Sequence, residues 1–290
     1  MNKKKISASE RRDNILGWLF CSPYLIFSLV FFLIPLCWAF WLSTMEWNLM
    51  SPNKTFVGLN NFIQLFSDSK VQAAFVNSFK YLVPTMVLCF LGGMVIALLV
   101  TQLPEKLKGM TAVLFFIPYL TSGVATSVVV KYLFSYTSVL NVFLREHFDL
   151  NISWFKDGTI AFWVITVLVV WKMSGYYALF ILSAIEGVSE EVKEAARLDG
   201  STGFHYLIHV TIPMIMPALT TVLVLASGLA FGIYTEPYLL TGGGPSLATT
   251  TWQLDIYYTS LTRFQSGNGA AMAIANELLI LVVLRIINFV

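Results

Sequence analysis

Six long apolar runs constrain this chain more than any other feature. They lie at about residues 15–43, 76–101, 110–134, 159–184, 213–237 and 268–289. Each matches or exceeds the roughly 20 residues that a helix needs to cross a bilayer core. The runs are continuous rather than alternating, which selects helices over a barrel, the other structure that satisfies its backbone in lipid. Composition agrees, with 57% hydrophobic and only 12% charged residues among 290, where soluble domains average about 25% charged. The expected fold is an all-α polytopic membrane protein with six transmembrane helices.

Lysine and arginine set the orientation of such a bundle. One side collects Lys3, Lys4, Lys5, Arg11 and Arg12 of a basic tail at residues 1–14, Lys106 and Lys108 of the 102–109 loop, Lys193 and Arg197 of the 186–212 loop, and Arg285. The other side holds Lys54, Lys70, Arg145, Lys156 and Arg263, which is fewer. Both termini and the 186–212 loop are therefore expected in the cytoplasm, consistent with an even number of spans. The first run is too long for a signal peptide, lacks a small-residue cleavage site, and reads as a retained span. Cys21, Cys37 and Cys89 fall within spans, so no disulfide is expected. The basic tail suits anionic lipid headgroups. A net charge of +2, with no basic patch interleaved with aromatics, gives no footprint of a nucleic-acid partner.

The most charged stretch beyond the tail runs from Glu186 to Pro217 between two apolar runs. Ser189 is placed to cap a helix, with Glu190 and Glu191 in the first turn, where the dipole favours acid. Gly200 stands where a left-handed C-terminal residue belongs. Thr202 can cap a further turn with Phe204, Leu207 and Ile208 on one face, and Pro213 and Pro217 mark the return to the membrane. Read locally, this is a solvated helical loop. Its spacing says more: Glu194-Ala195-Ala196, then Gly200, then Val210-Thr-Ile-Pro213 resembles the "EAA" coupling loop of bacterial ABC-importer permeases. The usual ending there is Ile-x-Leu-Pro. Asp199 before the glycine fits the sugar-importer branch.

Two further stretches carry the same resemblance. Phe56-Val-Gly-Leu-Asn-Asn-Phe62 is similar to the sequence after the first span of carbohydrate permeases; locally it reads as a turn at Gly58 with Phe56, Leu59 and Phe62 packing back onto the membrane surface. Thr241-Gly-Gly-Gly-Pro245, followed by Thr249 and Thr250, resembles the outer loop after the fifth span of sugar and glycerol-phosphate permeases. Its glycines lose too much conformational freedom to lie in a helix interior. A Walker loop would need Gly-Lys-Ser/Thr, which the chain lacks. The resemblance implies a type I ABC-importer permease fold in the bacterial inner membrane and no catalytic residues, cofactor or metal in this chain. ATP and Mg would be bound by a partner ATPase. The implied partners are a second homologous permease, two cytoplasmic ATPases, an extracytoplasmic solute-binding protein and membrane lipid. Glu194, Ala195, Ala196, Asp199, Gly200 and Pro213 would form the ATPase contact, and the solute would be a sugar or sugar-like molecule moved inward by alternating access.

The spans hold few polar groups to act on a solute. Lys172 in the fourth and Glu277 in the sixth lie at mid-depth, where an unpaired charge is costly. They are expected to reach each other, or one of them to face the second permease, or both to meet water. Trp171, Tyr176, Tyr234 and Glu236 add stacking faces and polar edges to a candidate solute path. An ion-coupled secondary carrier is the alternative; it needs mid-depth ion ligands and often an inverted repeat, and the sequence offers only Lys172 and Glu277. An intramembrane hydrolase needs histidine within spans, whereas all three lie outside the runs. His205 and His209 stand one turn apart, but Tyr206 occupies the position where a zinc protease requires Glu.

Overall fold

Apolar runs this long become long helices, and their prolines and polar interruptions decide where those helices bend. The computed structural model describes residues 8–287, so Lys3, Lys4 and Lys5 of the expected tail lie outside the described residues. α1 (Ala8–Ser28) passes through a π-turn at Leu29–Leu33 into α2 (Ile34–Ser43). The π-turn directly precedes Pro35, whose missing N–H breaks the regular ladder, and widening the turn absorbs the mismatch. Arg12–Ser43 is thus one helix long enough to span a membrane, and none of its most apolar window is buried within the chain.

A small antiparallel hairpin follows, β1 (Met45–Trp47) with β2 (Lys54–Phe56), in register Glu46 to Thr55. Lys54 Nζ stands 4.2 Å from the Trp47 ring centre and 5.5 Å from those of Trp38 and Trp41, pinning the hairpin to the end of α2. Gly58 makes the expected turn, with φ +60°. α3 (Asn60–Leu65) then brings Phe62 against Leu65, Val71 and Trp252, while Phe56 and Leu59 remain exposed.

α4 (Ser69–Thr101) starts before its apolar run because Asp68 caps it, accepting from the Lys70 N–H at 2.8 Å. Its 33 residues make a rod of about 50 Å. The third run, expected as one span, is broken into α5 (Glu105–Leu120) and α6 (Gly123–Leu133), which meet at 86°. The corner is built at Thr121 and Ser122, both extended, after Pro118. Thr121 Oγ1 donates to the Pro118 carbonyl, and the Ser122 carbonyl accepts from Thr126, so backbone groups freed by the bend find partners.

α7 (Val139–Phe148) leads to α8 (Gly158–Glu186), capped by Asp157, which accepts from the Thr159 and Ile160 N–H groups. α8 is the hub, packed on both α4 and α5. At Gly175 any side chain would drive into the Phe115 carbonyl, so only glycine allows α5 to approach this closely. The 187–215 segment contains α9 (Glu190–Leu198), α10 (Gly203–Tyr206), a π-turn at Leu207–Thr211 and α11 (Ile212–Met214). α12 (Met216–Phe231) is interrupted at residues 232–234 before α13 (Thr235–Leu240), and the two together make one stretch long enough to cross a membrane. α14 (Trp252–Tyr257) widens into a π-turn and precedes α15 (Ser266–Ile287).

Five of these helices, or six with the bent pair as one, are long and apolar enough to cross a membrane. One apolar cluster joins Cys89, Met94 and Val100 of α4 to Tyr177 and Ile181 of α8 and Leu219 and Val222 of α12. A second, toward the hairpin end, joins Tyr81 to Ile165, Leu168, Val169, Ile233 and Leu240.

Candidate functional site

Two regions gather the residues singled out from the sequence: the 187–215 segment at one end of the bundle, and a polar layer within it.

α9 is amphipathic at a spacing of four. Val188 and Ala196 are buried, and Val188 and Val192 pack into the α4–α8–α12 cluster. Glu191, Glu194, Ala195, Leu198 and Asp199 are exposed on the other side, Leu198 at 90%. Glu194 and Ala195 are thus available to a partner, whereas Ala196 faces its own bundle, where a larger side chain would lift the helix away. Ser189 has the extended backbone of a cap, yet its side chain caps nothing, and the same holds for Thr202. The first turn is steadied instead by Lys193 Nζ, 2.8 Å from Glu190 Oε1, which holds the Glu190 carboxyl below the usual carboxylate range.

The end of α9 is closed by backbone geometry. Gly200 takes φ +75°; its N–H donates to the Arg197 carbonyl at 3.1 Å, and the Ser201 N–H donates to the Ala196 carbonyl at 2.8 Å. This is a Schellman closure, the left-handed role expected of Gly200. Ser201 Oγ lies 2.9 Å from His205 Nδ1, and the His205 and His209 rings stack at 4.1 Å. Among the described residues no group of three or more His, Cys, Asp or Glu is placed to hold a metal. Phe204, in α10, is 75% exposed, a second exposed apolar side chain of this segment. A cavity of about 400 Å³ opens between the segment and the α4–α5 turn, lined by Lys108, Glu186, Lys193, Arg197, Ser201 and Tyr206 among others. Pro213, exposed, opens α11 just after the π-turn.

Inside the bundle, Lys172 meets Glu236 and not Glu277. Lys172 Nζ is 3.3 Å from Glu236 Oε1, with the two side chains only 13% and 10% exposed. Glu236, buried in the first turn of α13, takes the place expected of Glu277, which lies exposed on α15. Tyr176 stacks on Tyr119 with ring centres 4.5 Å apart. Tyr234 stacks on Tyr238 and touches Tyr257, one side of a tyrosine cluster completed by Tyr258. Trp171 projects into an apolar groove with Trp154 and Trp163, away from the ion pair. Thus Lys172 and Glu236 come together, Tyr176 and Tyr234 join separate aromatic groups, and Trp171 and Glu277 face outward. Sequence reasoning missed Leu198 on the loop surface and Tyr119 as a stacking partner. Leu198 was visible in principle, as a leucine inside an otherwise charged helix face.

The sequence profile described as binding-protein-dependent transport system inner membrane component matches residues 6–290. The probable ABC transporter permease protein YurN of Bacillus subtilis (strain 168) is 31% identical over 266 residues, covering 90% of this chain and 91% of that one. The trehalose/maltose transport system permease protein MalF of Thermococcus litoralis is 27% identical over 285 residues, covering 97% and 95%. Among solved structures, a chain of the bacterial alginate ABC transporter in complex with alginate pentasaccharide-bound periplasmic protein superposes with TM-score 0.84. That match covers 99% of this chain and 96% of the other at 21% identity, a likeness of fold. The chain belongs to the family of binding-protein-dependent transport system inner membrane components, and is the non-catalytic permease component of an ABC importer.

Proposed function

We propose that the chain moves a sugar or sugar-like solute inward by alternating access, driven by ATP hydrolysis in partner ATPases that grip the 187–215 segment. The observation that carries this reading is the two-sided build of α9. Its Val188–Val192–Ala196 side is seated in the bundle, while Glu194, Ala195 and Leu198 are presented outward. A seated amphipathic helix with an exposed charged and apolar edge suits insertion into a partner's groove. Asp199, Gly200 and Pro213 shape the segment, which runs directly from α8 into α11 and α12, so force on it reaches two spans. In this reading the segment and both termini face the cytoplasm, the hairpin end receives the solute-binding protein, and a second permease packs on the first span.

The solute class is supported by the relatives. The names of several curated relatives include trehalose/maltose, multiple sugar-binding and lactose transport, and another names sn-glycerol-3-phosphate. In this chain Tyr176 and Tyr234 offer stacking faces with polar edges, beside Trp171. Lys172 and Glu236 neutralise each other, which leaves no unpaired cation there to attract a phosphate and favours an uncharged saccharide. Glu277, exposed on α15, is assigned to the contact with the second permease.

The test is a gentle affinity purification of the tagged chain, with co-purifying proteins identified by mass spectrometry. A second permease and an ATPase carrying a Walker motif are expected. Recovery of the chain alone, in conditions where its membrane insertion is verified, would overturn the assignment of the 187–215 segment.

A further inference from the structure

Buried polar groups lie where the two apolar clusters meet, beside Met173 and Leu229, which pack against both. Along α4, Tyr81 belongs to one cluster and Cys89 to the other, with Thr85 fully buried between them. Along α8, Val169 belongs to one and Tyr177 to the other, with Lys172 between. Glu236, in the first turn of α13, completes the ion pair. The corner of the third span closes over it: a Cβ on Gly123 would stand 3.1 Å from Lys172 Nζ and 3.6 Å from Glu236 Oε1. The buried hydroxyls of Tyr81, Thr85 and Ser127 have no hydrogen-bond partner among the described residues, and Ser127 lies one turn beyond Gly123 on α6.

Connectivity gives the pair its meaning. Lys172 is on the helix that enters the 187–215 segment, and Glu236 is on the helix reached from that segment through α11 and α12. The segment joins this helical pair at one end, and the ion pair bridges it about halfway along α8, beside the apolar contacts of Ile233 and Leu240 with Leu168 and Val169. The helical ladder of Met216–Leu240 is interrupted at residues 232–234, which loosens the coupling of α13 to α12. A buried pair resists separation, since parting leaves two uncompensated charges in a medium that solvates them poorly.

We propose that Lys172 and Glu236 are positioning residues that tie α13 to α8, so that a displacement imposed on the 187–215 segment is delivered to the hairpin end of the fifth span. This rests on the assignment of that segment as the ATPase contact. The tie would let the ATPases open or close the hairpin end without a partner reaching it.

The experiment uses the assembled importer complex with spin labels confined to this chain. Cys37, exposed on α2, serves as the reference in a Cys21→Ser background, and buried Cys89 is left in place. One preparation adds Glu191→Cys on α9, the other Tyr238→Cys on α13, both exposed positions. Distances are measured with and without ATP plus vanadate, which needs no knowledge of the solute. Both distances are expected to shift in the background. In Lys172→Met/Glu236→Leu, which keeps the volume buried without charge, the α9 shift should persist and the α13 shift should be lost. The charge swap Lys172→Glu/Glu236→Lys should restore it, which a merely structural role for the two side chains does not predict. An α13 distance that never shifts in the background, that shifts equally in the uncharged double variant, or that the swap fails to restore overturns the proposal. An α9 distance that does not respond to ATP in the background removes the ATPase-contact reading itself.

Discussion

Asp255 shows how a single residue holds the hairpin end together. Its side chain is almost fully buried, and Arg263 Nη2 reaches its Oδ1 at 2.7 Å while Nη1 donates to Thr259 Oγ1. Burial pushes the Asp255 carboxyl above the usual carboxylate range, and Arg263 pulls it part of the way back. A carboxyl raised in the folded state contributes stability that is fully present below its unfolded value of about 3.9 and is lost as pH rises through the folded value. In Arg263→Gln the pull is gone and the carboxylate is left uncompensated, at a cost of about 3–5 kcal/mol near neutral pH. Acidification should recover part of that loss as Asp255 takes up a proton. Adding Asp255→Asn should remove both most of the loss and the recovery. Thermal melts in detergent at neutral and mildly acid pH check this; an Arg263→Gln melt that falls further on acidification contradicts it. Nothing in the sequence announced the pair, because eight residues and a π-turn separate two groups that the runs-and-loops reading places in one undivided outer loop.

At the scale of the element, α9 separates seating from presentation. Leu198→Glu should leave the chain inserted and melting normally, since the side chain touches little of its own bundle. ATPase co-purification should fall about tenfold or more, as for loss of an apolar anchor worth roughly 1.5–3 kcal/mol. Val192→Asp should instead lower the melting temperature by unseating the helix from its cluster. Quantified pull-downs beside melts of the same preparations check both; ATPase recovery unchanged in Leu198→Glu would reject the outward edge as the contact. The helix and its left-handed stop at Gly200 were legible in the sequence because glycine and spacing act locally. The inward turn of Ala196 was not, since which face of a short helix is seated depends on Val188 and on α12. The corner at Thr121–Ser122 was hidden for a related reason: apolar residues continue on both sides of it, and only Pro118 with two hydroxyl residues hints at a break. The Lys172–Glu236 pair depends on how α13 packs against α8, which no periodicity reveals.

At the scale of the whole molecule, the first span is the incomplete part. α2 packs on α15, and the hairpin is fixed to α2, but the most apolar window of Arg12–Ser43 buries nothing in the chain. The membrane-long helices, five or six with the bent pair as one, could be read from hydropathy because lipid imposes one length on every helix. How the helices group could not, since lipid and a neighbouring helix present equally apolar surfaces to leucine and phenylalanine. Phe20, Tyr24, Phe27 and Phe31 are exposed along α1 and its π-turn at roughly one-turn intervals, with Phe27 and Phe31 ring centres 4.7 Å apart. In a membrane, such a stripe gains by packing rather than by leaving water. If the second permease covers it, replacing all four by alanine should lower the yield of that permease in a pull-down. Insertion should be retained, because alanine adds no polar group to the span. A stripe that meets only lipid predicts an unchanged yield, because lipid accommodates alanine and phenylalanine alike. Retained insertion with loss of the partner is therefore the result that would make the first span an element of the complex rather than of this chain.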